Sequence, residues 1–173
     1  QYIARIPLDL PTKPKVLDIG CGTGIASFGF LERYPHASIL AIDIDPAMLS
    51  EAQRIAEKKK ISVKKLEILE GDINNLRKIK NYQTGKSLLL KKRKYDIIIT
   101  SGSLEYADRE KVLPFIVSLL KHKGYLINLS MSDSLIGKLH GAVYRFKVIP
   151  RETLLTTFAQ AGLKEIQHIP LTF

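Results

Sequence analysis

Three glycines at alternate positions, Gly20, Gly22 and Gly24, end a short apolar run that carries an acid, Val16-Leu17-Asp18-Ile19. Glycine admits positive φ and has no side chain to hold a ligand away. Val16–Gly24, which also includes Cys21 and Thr23, therefore reads as a strand-to-helix turn whose bare backbone touches a ligand. A helix starting near Ile25 would aim its free N–H groups and positive dipole end at the same spot. Asp43 follows the turn by about 20 residues, the usual place for a carboxylate that accepts from ribose hydroxyls. Ile44, Met48 and Ile73 could sandwich a flat base, and Asp72, next to Gly71, could accept from its exocyclic amine. The chemistry implied is the binding of a nucleoside-containing ligand. Ile25 stands where a GxGxxG reading needs its last glycine, which argues against a dehydrogenase.

Other reactive side chains give weaker signals. Glu105 reads as a proton acceptor, a substrate contact or a plain loop carboxylate. Tyr106 is a poor base, because a phenol titrates near ~10. Cys21 reads as a small residue beside the turn. His36, His122, His140 and His168 are scattered without metal-ligand spacing, so no metal site is expected. Tyr144 and Arg145 could line an acceptor pocket. Asp96 reads as serving the start of its strand.

The elements that would position these groups alternate along the chain. Strands are expected at Lys15–Ile19, Ser38–Asp43, Lys65–Leu69, Tyr95–Thr100, Gly124–Leu129 and Leu163–Ile169. Helices are expected at Ile25–Tyr34, from Pro46 with Asp45 as cap, from Asp108 as cap, and from Pro150 to a stop at Gly162. Asn75–Lys80 reads as a short helix, and Asn81–Lys94 as an irregular basic insertion with Leu88-Leu89-Leu90 pinned to the core. Apolar strands alternating with amphipathic helices give an α/β fold with a doubly wound, mostly parallel sheet. In such sheets ligands lie beyond the C-terminal strand ends. Asp18, Asp43, Gly71-Asp72-Ile73 and Ser101 all fall there.

Bulk properties narrow the class. A chain of 173 residues with 45% hydrophobic content is expected to form one domain over 1–173. No apolar run is long enough to cross a bilayer as a helix. No secretory leader opens the chain, although it begins at Gln1 rather than Met. The single cysteine fits a reducing compartment, so a cytoplasmic location is expected. A net charge of +10 favours anionic partners. The basic residues concentrate at 77–94 and at Lys58, Lys59, Lys60, Lys64 and Lys65. Both runs read first as solvated surface and second as an RNA or membrane footprint.

Taken in order, Val16–Gly24, Ala41–Leu49, Glu70–Ile73, Tyr95–Glu105, Leu119–Leu126 and Leu154–Gly162 resemble the class I S-adenosylmethionine-dependent methyltransferases. The resemblance implies a Rossmann-like methyltransferase fold with S-adenosyl-L-methionine as the methyl donor. It places Gly20, Cys21, Gly22, Thr23 and Gly24 around the methionine part, and Asp18 at its amino end. Asp43, with Ile44 and Met48 beside it, would hold the ribose, and Gly71, Asp72 and Ile73 the adenine. Ser101 would face the sulfonium. Glu105 and Tyr106 remain the candidate catalytic groups; relatives acting on small molecules often carry His at the latter position. The chain stops soon after the sixth strand, which leaves the family's seventh strand unaccounted for.

Methyl transfer to a small polar or anionic molecule by in-line displacement is the first expectation. The alternatives are an RNA or protein methyltransferase using the basic 77–94 region, and a non-catalytic S-adenosylmethionine-binding or scaffold protein. The end of the fourth strand, Thr100-Ser101-Gly102-Ser103, lacks the Asn/Asp-Pro-Pro-aromatic box of amino-methylating nucleic-acid enzymes.

Overall fold

A computed structural model describes residues 6–92, 94–130 and 148–169. Its elements are β1 (Lys15–Ile19), α1 (Ile25–Arg33), β2 (Ser38–Asp43), α2 (Pro46–Lys58), β3 (Leu66–Glu70), β4 (Ile79–Asn81), β5 (Ser87–Leu88), β6 (Tyr95–Ser101), α3 (Arg109–Leu119), β7 (Leu120–Leu129) and α4 (Arg151–Gln160). They build one sheet in the order β5-β4-β3-β2-β1-β6-β7. Pairings among β3, β2, β1, β6 and β7 are parallel, and β4 and β5 add antiparallel at the β3 edge.

The period-2 alternation of the central strands explains the layering. Ile97 and Ile99 of β6 pack with Phe28 and Phe30 of α1 and Leu49 and Ala52 of α2. Ile98, between them, packs on the opposite face with Val112, Ile116 and Leu119 of α3. All three isoleucines are fully buried, each stabilising the fold by about 1.5–3 kcal/mol. A third cluster joins Leu104 and Leu113 to Leu154 and Phe158 of α4. The doubly wound α/β arrangement expected from the sequence is present.

Local signals act as their chemistry predicts. Asp45 caps α2 by accepting from the Ala47 N–H, with Pro46 in the first turn. Gly162, at φ 93°, lies just past the end of α4. Asp96, at the start of β6, accepts from the Lys15 N–H at 2.8 Å and from Lys121 Nζ at 2.8 Å. Asp108 sits at the start of α3, but its side chain pairs with Lys111 Nζ rather than capping the helix.

Three expectations need correction. Residues 75–80 are not a helix; a one-turn 3-10 helix, Ile73–Asn75, precedes β4. The 81–94 region is not wholly irregular, because β4 and β5 pair as a hairpin with Ile79 opposite Leu88. Asn81 Oδ1 accepts from the N–H groups of Gln83 and Thr84 and ties the turn. Ile79 is buried and Leu88 and Leu90 pack on the core, whereas Leu89 is 75% exposed. Residues 163–169 form no strand. Glu165 there adopts φ 54°, a left-handed conformation that interrupts extended backbone, and 164–169 lie partly or fully in solvent. The seven-stranded count therefore comes from the hairpin at the β3 edge.

Candidate active site

The C-terminal ends of β1, β2, β3 and β6 meet at one edge of the sheet, on both sides of β1, where the chain winds in opposite directions. The glycine turn connects β1 to α1. Gly20 has φ 73°, and a Cβ added to it would fall 2.3 Å from Ser103 Cβ. Gly22 has φ 53°, yet a Cβ there would meet nothing within 4 Å. Gly20 is thus required by packing from below, and Gly22 turns bare backbone outward. The Gly20 and Cys21 N–H groups both donate to the Ile42 carbonyl, which anchors the turn on β2. Thr23 is half-buried, and Gly24 opens α1.

Asp43 binds the turn from the end of β2. Its Oδ2 accepts from the Gly22 N–H at 2.7 Å and its Oδ1 from the Asp45 N–H at 3.0 Å. Each carboxylate oxygen has further acceptor capacity, so hydroxyl donors can still be taken from the open side. Beside it Ile44 is 63% exposed and Met48 39% exposed. Two uncovered apolar side chains next to a carboxylate suit a ligand with a polar rim and a flat apolar face.

Asp18 lies fully buried beneath the turn. Ser27 Oγ, from α1, donates to Asp18 Oδ2 at 2.6 Å. Asp18 Oδ1 is buried with no hydrogen-bond partner among the described residues. Desolvation pushes its pKa from 3.8 up to about 6, with nearby Asp43 adding to the rise and Ser27 opposing it. A buried carboxylate with an open acceptor is suited to a cationic or N–H donor on a ligand. Cys21 is also buried, and burial, then Asp18 and Asp43, push its thiol well above the ordinary range. The thiolate is therefore not available as a nucleophile.

At the end of β3, Asp72 Oδ1 accepts from the Asn74 N–H at 2.8 Å and caps the one-turn helix. Ile73 is half-buried against the core. A cavity of about 440 Å³ opens beside Ile44, Gly71 and Asp72, with Ile79 and Leu88 as its apolar wall. At the end of β6, Ser101 is half-buried and Gly102 turns at φ 63°. Glu105 and Tyr106 follow in a second one-turn helix, Leu104–Tyr106; Glu105 is half-buried and Tyr106 is 55% exposed.

The fold thus gathers Asp18, the glycine turn, Asp43, Ile44, Met48, Gly71–Ile73 and Ser101 along one edge. Tyr144, Arg145 and His140 lie outside the described residues, as does Arg93 of the basic region. Among the described residues, no group of three or more His, Cys, Asp or Glu is placed to hold a metal ion. None of the described helices is long and apolar enough to cross a membrane.

Three contacts escaped the sequence reading. Ser103 is buried, and its Oγ donates to the Ile19 carbonyl at 2.9 Å, tying the β6 loop to the glycine turn. Thr100 Oγ1 donates to Asn128 Oδ1 at 2.9 Å, joining the ends of β6 and β7. Ser27 carried a usable signal, as a polar residue on the buried face of α1. The other two form contacts over 84 and 28 residues that no local pattern marks.

Residues 12–154 match a family model described as a methyltransferase domain. Trans-aconitate 2-methyltransferase of Enterobacter sp. (strain 638) is 30% identical over 127 residues, covering 73% of this chain and 42% of that protein. The enzyme of the same name from Escherichia coli (strain K12 / DH10B) is 30% identical over 141 residues, covering 81% and 47%. The chain thus spans less than half the length of these two relatives. Among solved structures, the YcgJ protein of Bacillus subtilis has a TM-score of 0.69 at 17% identity, covering 90% of this chain and 64% of that one. Phosphoethanolamine N-methyltransferase 2 of Haemonchus contortus has a TM-score of 0.71 at 16% identity, covering 93% and 35%. These structural likenesses concern the fold.

Proposed function

The chain belongs to the class I S-adenosylmethionine-dependent methyltransferases, and we propose that it moves the methyl group to a carboxylate oxygen of a small organic acid. The observation that carries the donor half is the Asp43 carboxylate seated on the Gly22 amide at 2.7 Å. It sets a ribose-binding acid against backbone that can approach the ligand closely. Asp18 Oδ1, buried and without a partner among the described residues, fits the amino group at the methionine end. Ile44 and Met48 fit the uncovered face of the nucleoside, and Asp72 with Ile73 its adenine. Ser101 stands toward the acceptor side.

Support for the acceptor half comes from the trans-aconitate methyltransferases that the chain resembles and from its net charge of +10. S-adenosylmethionine supplies a methyl group already activated by a positive sulfur. Transfer breaks the sulfur–methyl bond as the oxygen–methyl bond forms, and S-adenosylhomocysteine leaves. A carboxylic acid with a pKa near ~4 is ionised at neutral pH, so its oxygen attacks without a general base. This reading assigns Glu105 and Tyr106 to orienting the acceptor rather than to moving a proton. The chain's own contribution is alignment of the two reactants and exclusion of water.

Calorimetric titration with S-adenosylhomocysteine tests the donor half. Saturable one-site binding is expected. Absence of binding to folded protein would refute it.

A further inference from the structure

Asn74 spans the two loops that flank the cleft. It lies in the one-turn helix after β3, and its amide reaches the loop after β6. Asn74 Oδ1 accepts from the Asp108 N–H at 2.9 Å. Its Nδ2 donates to the Tyr106 carbonyl at 3.4 Å and to Asp72 Oδ1 at 3.3 Å. The partners fix which way the amide faces, because the Asp108 N–H can only donate and the two oxygens accept. Turned over, the amide would set its oxygen against two acceptors and its NH₂ against a donor.

The connection crosses 34 residues to Asp108 and 32 to Tyr106. One end of it is Asp72, the carboxylate at the adenine side of the cleft. The other end is the backbone that carries Glu105 and Tyr106 and leads into α3. Asn74 is exposed, so it contributes nothing to the apolar core. Its amide instead makes the position of one loop depend on that of the other.

We propose that Asn74 is a positioning residue that couples the donor-side loop, 71–75, to the acceptor-side loop, 103–108. The inference rests on the methyl-donor reading above. A ligand that draws on Asp72 orders the short helix Ile73–Asn75. Asn74 then holds the Tyr106 carbonyl and the Asp108 amide in one arrangement. Occupation of the donor site therefore pre-forms the acceptor side, and the coupling is reciprocal.

Hydrogen exchange read by mass spectrometry on the whole chain tests this without an acceptor. In the unaltered chain, saturating S-adenosylhomocysteine slows exchange several-fold in peptides covering both 71–76 and 103–112. Asn74→Ala keeps S-adenosylhomocysteine binding within about threefold and keeps the slowing at 71–76, but loses it at 103–112. Asn74→Asp keeps an acceptor for the Asp108 N–H but sets a carboxylate oxygen against Asp72 Oδ1 and the Tyr106 carbonyl, so it too loses the slowing at 103–112. Full ligand-induced slowing at 103–112 in Asn74→Ala overturns the coupling, as does its absence from the unaltered chain that binds the ligand. Failure of the unaltered chain to bind S-adenosylhomocysteine overturns the donor reading along with it.

Discussion

Asp43 Oδ2 accepts the Gly22 amide at 2.7 Å across 21 residues of sequence. One carboxylate thereby fixes the conformation of the glycine turn and presents its remaining acceptor sites to the cleft. Asp43→Ala removes the acceptor for two backbone N–H groups along with the proposed ribose contact. A hydrogen bond to a charged group contributes about 1.5–3 kcal/mol, so S-adenosylhomocysteine affinity should fall at least tenfold. Calorimetry on folded variant checks this, and unchanged affinity would remove Asp43 from the site.

Asp18 gives the fold a pH dependence. Its folded pKa of about 6 lies above the ordinary 3.8. Between those values the folded chain holds a proton that the unfolded chain has released, so stability falls as pH rises through that window. Once ionised, the buried acid costs on the order of 3 kcal/mol. Asp18→Asn should raise Tm by about 6–12 °C at pH 7.5 and lose that advantage near pH 4. The same substitution should weaken S-adenosylhomocysteine binding. A Tm difference identical at both pH values would contradict the assignment.

Ligand affinity should follow the same group with a defined sign. A cationic amino end favours ionised Asp18, so binding should weaken as pH falls below about 6 and release protons in that range. Calorimetry in buffers of different ionisation enthalpy measures the proton count directly. Affinity that improves on acidification would refute the placement of the amino group at Asp18.

Far from the cleft, Asp96 accepts from Lys121 and from the Lys15 N–H at the opposite end of β6. Its carboxyl is 11% exposed. Asp96→Ala leaves the Lys15 N–H without its acceptor, while the Lys121 ammonium, on a side chain 40% exposed, turns to solvent; the loss is about 1–3 kcal/mol. Urea denaturation should show that loss, with donor affinity per folded molecule unchanged. Lost affinity at full folding would place Asp96 in the functional machinery.

The layering was legible because it rests on local patterns. The Ile97-Ile98-Ile99 run, buried from both faces, and the cap at Asp45-Pro46 are written in adjacent residues. The glycine turn and the carboxylate at the end of β2 that meets it were legible for a similar reason, since turn chemistry and fixed spacing specify them. The hairpin was hidden because Lys78, Lys80, Lys86 and Lys91 mask two short pairings that depend on Ile79 meeting Leu88. Ser103 and Asn74 were hidden because each acts across more than 30 residues. Residues 163–169 carried strand-like composition, but the left-handed backbone at Glu165 interrupts the extension.

The most direct measurement is turnover of the chain with S-adenosylmethionine and a panel of small di- and tricarboxylic acids, products being read by mass spectrometry. A gain of one methyl group on an acid is expected, as an ester cleaved by mild alkali, with one S-adenosylhomocysteine formed per ester. Rates should be unchanged by Lys91→Ala/Lys92→Ala on the exposed basic segment. Methyl transfer to RNA or to an amine, with the acids inert, would contradict the carboxylate acceptor.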